Sequence, residues 1–306
     1  MMTEAISGRT AGAVPAVVSA LEIADGLGID LSFCAHRIDG AGPILSHRRD
    51  ALWPGASLYK LPAAIALYRA RGSRLSEPVR VHPDQRVNGG VGLSLIEDPV
   101  TVTWRELMRF MLVGSDNTSA DLILREVGIA AVDDVAHDAS MRRSCIASTA
   151  DTVRLAVETA RRDSPFTSGP DIDDDLLEFT RRDRVLGSLT TAADQVRLLS
   201  ALWNGTLMDR VGTDMVCGML AQQFVPTRIS RTLCYPGVSV AEKTGSWGPF
   251  RHDSAVVTHD GEVPIAVSVL TRSLDFDRLI PAVDDGIGAI AASIVDGIRS
   301  EPLNRR

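Results

Sequence analysis

Ser254-Ala255-Val256-Val257-Thr258-His259-Asp260-Gly261-Glu262-Val263-Pro264-Ile265-Ala266-Val267-Ser268-Val269-Leu270 decides the fold. Two β-branched runs, Ser254 to Thr258 and Ile265 to Leu270, flank an Asp-Gly pair, which is a strong short-range hairpin signal. Just upstream, Val238 to Glu242 reads as another strand. Far from it, near the other end of the chain, Leu31 to Ala35 and Ile44 to Ser46 flank a Gly-rich turn. A final helix places Ile287, Ile290, Ile294 and Ile298 on one face, fit to cover a sheet.

The middle of the chain has helical signals instead. Thr103 to Glu106 reads as a capping box opening a helix through Phe110 and Leu112, Ser148 to Asp151 precedes Val153, Leu155 and Val157, and Thr191 to Asp194 precedes Val196, Leu199 and Leu202. The stretch from Asp163 to Arg184 breaks all periodicity and reads as a long surface loop. The fold class predicted is α+β, with an antiparallel sheet built from both chain ends, covered by helices, and an all-helical block between them.

Composition narrows the function. The chain has 306 residues, a net charge of −7 and a pI near 5.4, so no overall positive field draws nucleic acid or anionic lipid. Cys34, Cys145, Cys217 and Cys234 are scattered and read as small buried hydrophobes, and neither they nor the six histidines fall at metal-ligand spacing. No metal and no cofactor are expected. Glu4, Arg9, Glu22 and Asp25 interrupt the first 28 residues, which therefore lack an export signal, and no apolar run reaches membrane-spanning length. A cytoplasmic protein with no membrane partner is the expectation.

Chemistry is carried by three short motifs in order: Ser57-Leu58-Tyr59-Lys60, Ser115-Asp116-Asn117 and Lys243-Thr244-Gly245. An S-x-x-K occurs by chance about once in such a chain, whereas each specified tripeptide occurs in roughly a few per cent, so the ordered trio is the signal. Singly, the motifs read as a helix-start serine with a solvated lysine, a helix cap at Asp116 and a charged strand end. The chain has 32 basic residues, yet Lys60 and Lys243 are its only lysines. A guanidinium does not deprotonate in a protein but a desolvated ammonium can, so a position that must act as a base cannot be filled by arginine. Trp53-Pro54-Gly55 reads as a turn before a helix through Ala63 to Arg69, placing Ser57 at a helix start with Lys60 on the same face. Pro62 sits oddly within that helix.

On these motifs the sequence resembles the class A serine β-lactamases and, more broadly, the penicillin-binding D-alanyl-D-alanine peptidases, from about Val14 to Ile298. The resemblance implies a single β-lactamase-like unit over residues 1–306, with an α/β subdomain of about 14–60 and 236–298 beside an all-α subdomain of about 61–235. It implies that Ser57 attacks a carbonyl, Lys60 takes its proton, Ser115 relays a proton to the leaving nitrogen, and Asn117 holds a substrate amide. Lys243, Thr244 and Gly245 line the pocket, the backbone N–H groups of Ser57 and Ser246 form an oxyanion hole, and Arg251 binds a substrate carboxylate with Thr244 and Ser246. The implied partner is a small β-lactam, or an acyl peptide or ester, carrying a carboxylate.

One departure bears on the fate of the acyl group. The family holds its hydrolytic water with an E-x-x-L-N loop, but no asparagine lies between Asn117 and Thr190, and the glutamates there are Glu126, Glu158 and Glu178. Glu178 is the candidate deacylating base by position, though its flanking residues read as surface loop. A β-lactamase-like hydrolase is the leading reading; a D,D-peptidase, esterase or acyltransferase, and a non-turning-over penicillin-binding sensor, are the alternatives.

Overall fold

A computed structural model of the chain describes residues 6–7, 13–87, 91–146, 188–224, 226–273 and 280–301. Its strands are β1 (Ile6–Ser7), β2 (Ile29–Arg37), β3 (Ile44–His47), β4 (Trp53–Pro54), β5 (Pro78–Val81), β6 (Val100–Thr103), β7 (Leu189–Thr190), β8 (Val238–Trp247), β9 (Phe250–His259) and β10 (Ile265–Ser273). Its α-helices are α1 (Ala13–Leu27), α2 (Lys60–Arg71), α3 (Trp104–Val113), α4 (Asn117–Val127), α5 (Ile129–Asp138), α6 (Ala192–Trp203), α7 (Arg210–Leu220), α8 (Ile229–Leu233) and α9 (Ile280–Arg299).

The expected hairpin forms. Glu262 donates its N–H to His259 O at 3.0 Å, and Gly261 takes the positive φ of +77° that the turn needs. The main sheet runs β1-β3-β2-β10-β9-β8, antiparallel throughout, so strands from both chain ends interleave as predicted. Alternation along β10 then divides two cores. Ile265, Val267 and Val269 pack with α1 and α9, including Ile287, Ile290, Ile294 and Ile298, while Ala266 and Leu270 join the core of the intervening helices. Helix α2 is central to that second core, with Leu61, Ala63, Ala64, Ile65, Ala66 and Leu67 almost wholly buried. A helix apolar on all sides cannot rotate without exposing part of its surface, which fixes the direction of every side chain at its start.

Two of the predicted caps are present: Thr103 accepts the Glu106 N–H at 3.2 Å and Thr191 accepts the Asp194 N–H at 3.1 Å. Asp194, however, turns its carboxylate to the backbone N–H groups of Arg142, Arg143 and Ser144, each at 2.9 Å, and so pins that loop. Trp53-Pro54, read as part of a turn, is instead a short strand paired with Leu189–Thr190. All four cysteines are free; Cys34 is buried, but Cys234 is exposed, because it follows α8 in a surface turn. The helix expected after Ser148 and the loop from Asp163 to Arg184 lie outside the described residues. No helix among the described residues is long and apolar enough to cross a membrane.

Candidate active site

Ser57 lies in a 3₁₀ turn, Ala56–Tyr59, that leads directly into α2. Ala56 has φ +45°, a strained conformation for a residue with a Cβ. The turn is held from three sides. Gly55 donates its N–H to Ser188 O at 2.6 Å, His252 Nε2 meets Pro54 O at 2.8 Å, and β8 packs against the turn so closely that a Cβ on Gly245 would meet Gly55 O at 3.2 Å and Ala56 Cβ at 3.3 Å. The glycine of Lys243-Thr244-Gly245 is therefore required by contact with the Ser57 turn. Pro62 is the third residue of α2, where its missing N–H has no partner within the helix to lose.

His252 has a fixed tautomer. Its Nδ1 accepts the Thr271 N–H at 3.2 Å, so Nε2 carries the proton donated to Pro54 O. Protonation would destroy the Nδ1 acceptor in a site closed to water, and burial pushes the imidazole down to about 4 from 6.5. The unfolded chain then takes up the proton first, and stability is lost as pH falls from about 6.5 to about 4. The expected loss is on the order of 3 kcal/mol at about 1.4 kcal/mol per pH unit. Urea midpoints of the wild type and His252→Gln across that range check it; an equal slope in both would remove His252 as the cause.

The second motif is pinned on its far side. Asp116 is fully buried, caps α4 by accepting the Ser119 N–H at 3.0 Å, and accepts the Leu93 N–H at 2.5 Å. Gly92, at φ +60°, leaves room for that carboxylate, which a Cβ there would strike. With Asp116 facing away, Ser115 (φ +57°) and Asn117 present their polar groups to the lysines. Lys60 Nζ donates to Ser115 O at 2.6 Å, Asn117 Oδ1 at 2.7 Å and Ser115 Oγ at 3.3 Å; Lys243 Nζ donates to Ser115 Oγ at 3.0 Å and Thr244 O at 2.9 Å. The chain's two lysines thus meet at one hydroxyl. No hydrogen bond joins Ser57 Oγ to Lys60 Nζ in this state: the two residues share a turn, but the amine is engaged by the Ser115–Asn117 loop.

Both lysines are almost completely buried. Burial, reinforced by the neighbouring Lys243 charge, holds Lys60 well below the ordinary lysine range. Burial likewise pushes Lys243 down to about 7, with Asp253 and Glu242 opposing and Arg228 assisting. Glu242 accepts from Ser230 N–H at 2.8 Å and Ser230 Oγ at 2.7 Å, and Asp253 accepts the Ile229 N–H at 3.1 Å. Burial first, and Glu242 second, raise the Asp253 carboxyl well above its usual range.

Arg251 is the cross-strand partner of Ser246. Its guanidinium is held by Asp284, with Nε to Oδ1 at 3.1 Å and Nη2 to Oδ2 at 2.6 Å. Arg228 bonds the Ser246 side chain: Nη2 donates to Ser246 Oγ at 2.6 Å, Nη1 to Gly245 O at 3.0 Å and to His252 O, and Nε to Asp284 Oδ1 at 2.7 Å. Nothing in the sequence around Arg228 marks it, since its role depends on α8 lying against β8. Glu178 lies outside the described residues. Among the described residues no group of three or more histidine, cysteine or acidic side chains could hold a metal ion.

Comparison with known proteins bears on this arrangement. No curated protein matches the chain. Among solved structures it is similar to a β-lactamase from Sphaerobacter thermophilus, at 23% identity and a TM-score of 0.75, over 94% of this chain and 98% of that one. It is also similar to a representative of class A β-lactamase from Bacteroides cellulosilyticus, at 16% identity and a TM-score of 0.76, over 96% of this chain and 100% of that one. PBP-A, at 16% identity and a TM-score of 0.72, is matched over 93% of this chain and 97% of its own length; a mutant of it is an acyl-enzyme complex with penicillin G. A model of the β-lactamase enzyme family matches residues 18–298. Matched over nearly its whole length, and with both lysines gathered at one serine, the chain belongs to the β-lactamase enzyme family, within the superfamily of class A β-lactamases and penicillin-binding proteins.

Proposed function

We propose that this chain is a serine hydrolase that opens a cyclic amide of the β-lactam type through an acyl-Ser57 intermediate. The observation that carries the reading is the convergence of Lys60 and Lys243 on the Ser115 hydroxyl, beside the turn that bears Ser57. Neutral Lys60 takes the proton from Ser57 Oγ as that oxygen attacks the carbonyl carbon. The oxyanion that forms is received by the backbone N–H groups of Ser57 and Ser246. As the C–N bond breaks, the ring nitrogen takes the Ser115 proton, which the Lys60 ammonium replaces, returning Lys60 to its neutral form. Water then cleaves the ester and regenerates Ser57.

In this reading Asn117 orients the substrate amide, while Lys243, Thr244 and Ser246 meet its carboxylate. Arg228 touches Ser246 directly, whereas Arg251 acts on that side through Asp284, which both arginines share. The α/β part, about 14–60 and 236–298, and the helical part, about 61–235, supply opposite walls of the cleft. The absence of an E-x-x-L-N motif from the sequence favours a slow second step in which Glu178 does not serve as the base.

Mass measurement after mixing with a penicillin tests the proposal. One adduct per chain on Ser57, decaying slowly and equally slowly in Glu178→Ala, is the expected result. Fast hydrolysis that collapses in Glu178→Ala would restore a complete β-lactamase cycle. A permanent adduct would favour a peptidase or sensor, and no adduct would refute penicillin as a substrate.

A further inference from the structure

A second concave site lies across the sheet from the lysines. It is at β2, three strands from β8 in the order β2-β10-β9-β8, or about 14 Å at ordinary inter-strand spacing. There a cavity of about 280 Å³ opens between the end of β2 and α6, and none of the three motifs contributes to its wall. Its lining is apolar at Cys34, Ile38 and Val196, while His36, Arg37, Arg49 and Arg197 supply polar groups; Arg37 is itself buried and donates to Ile298 O at 2.9 Å. No carboxylate lines it.

The charges around it are unevenly balanced. Arg197 donates to Asp194 at 2.5 Å, but that carboxylate also accepts three backbone N–H groups and the Ser144 hydroxyl, so its charge is widely shared. Arg49 meets Asp50 at 3.3 Å with both side chains substantially exposed to water. The recess offers no anion of its own, because burial pushes the Cys34 thiol up to about 12 despite the opposing pull of Arg49 and Arg197. Burial also lowers His36, leaving the imidazole neutral at neutral pH. In a chain of net charge −7, a recess lined by three arginines and no carboxylate is a local exception to the prevailing field, and Arg49 and Arg197 are the more exposed of its guanidinium groups. An apolar floor gives a bare inorganic anion nothing to bury, whereas a ligand with a hydrocarbon body gains from both parts. The volume lies at the small end of small-molecule sites.

We infer that this recess binds a small organic monocarboxylate, its apolar body over Cys34, Ile38 and Val196 and its carboxylate on Arg49 and Arg197. Benzoate and hexanoate are suitable probes, with inorganic phosphate as the bare-anion comparison. Titration of the full chain, followed by calorimetry and amide NMR, should give saturable shifts centred on Cys34 to Ile38 and Ala193 to Ser200. Arg49→Gln, which leaves Asp194 untouched, should weaken benzoate about tenfold or more, with Arg49→Lys falling between. Phosphate should bind at least tenfold more weakly than benzoate. Shifts confined to the Ser57 side, equal binding by folded Arg49→Gln, or phosphate binding as tightly as benzoate would each overturn the assignment.

Discussion

Ser57→Ala is expected to gain no mass from a penicillin and to lose acylation by about 10⁶-fold, the scale of loss when a hydroxyl nucleophile is deleted. The half-buried hydroxyl sits on a turn fixed by Gly55, His252 and Gly245, so removing one oxygen leaves the backbone in place. Loss of the adduct with an unchanged urea midpoint assigns the chemistry to that oxygen. Because nucleophile and base act as a unit, Ser57→Ala combined with Lys60→Ala should be hardly worse than Ser57→Ala alone. A mass adduct persisting on Ser57→Ala would place the nucleophile elsewhere.

Lys60→Arg is expected to slow acylation by about 10²–10⁴-fold, the usual contribution of a positioned general base. Arginine preserves a cation for the three acceptors that Lys60 now holds, Ser115 O, Ser115 Oγ and Asn117 Oδ1, but cannot supply a neutral nitrogen. A purely structural lysine would tolerate the change far better. The pH profile separates the two cases. Burial lowers Lys60, so in the wild type acylation should fall as acid protonates the amine; in the arginine variant that limb should vanish, leaving a low, flat rate. A variant that folds and acylates within threefold of the wild type would end the role of Lys60 as base.

Local signals in the sequence were most informative where one residue type has one physical use. The Asp-Gly hairpin, the Thr103 and Thr191 caps and the isoleucine stripe of α9 all formed because each depends on neighbours within a few positions. The two lysines stood out for a similar reason, since the surface uses arginine. Less legible were groups whose meaning comes from packing. Asp194 reads as the second half of a capping box, and its carboxylate instead clamps the 142–144 backbone, because the fold brings those N–H groups beside it. His252 sits in a strand, and only the fold shows that its ring spans from β9 to the Ser57 turn. Arg228 is invisible for the same reason: Ser246, Gly245 and Asp284 come to it from distant parts of the chain.

Pairing of β2 with β10, from Ile29 against Ser273 to Arg37 against Ile265, also governs how the chain can be made. On a ribosome β2 emerges early, yet its hydrogen-bonding partner is among the last segments to be synthesised. Until then the nascent chain carries an apolar strand with an open edge, a template for intermolecular association. Such long-range closure makes refolding slow, so yield should rise at lower protein concentration and fall when synthesis is rapid.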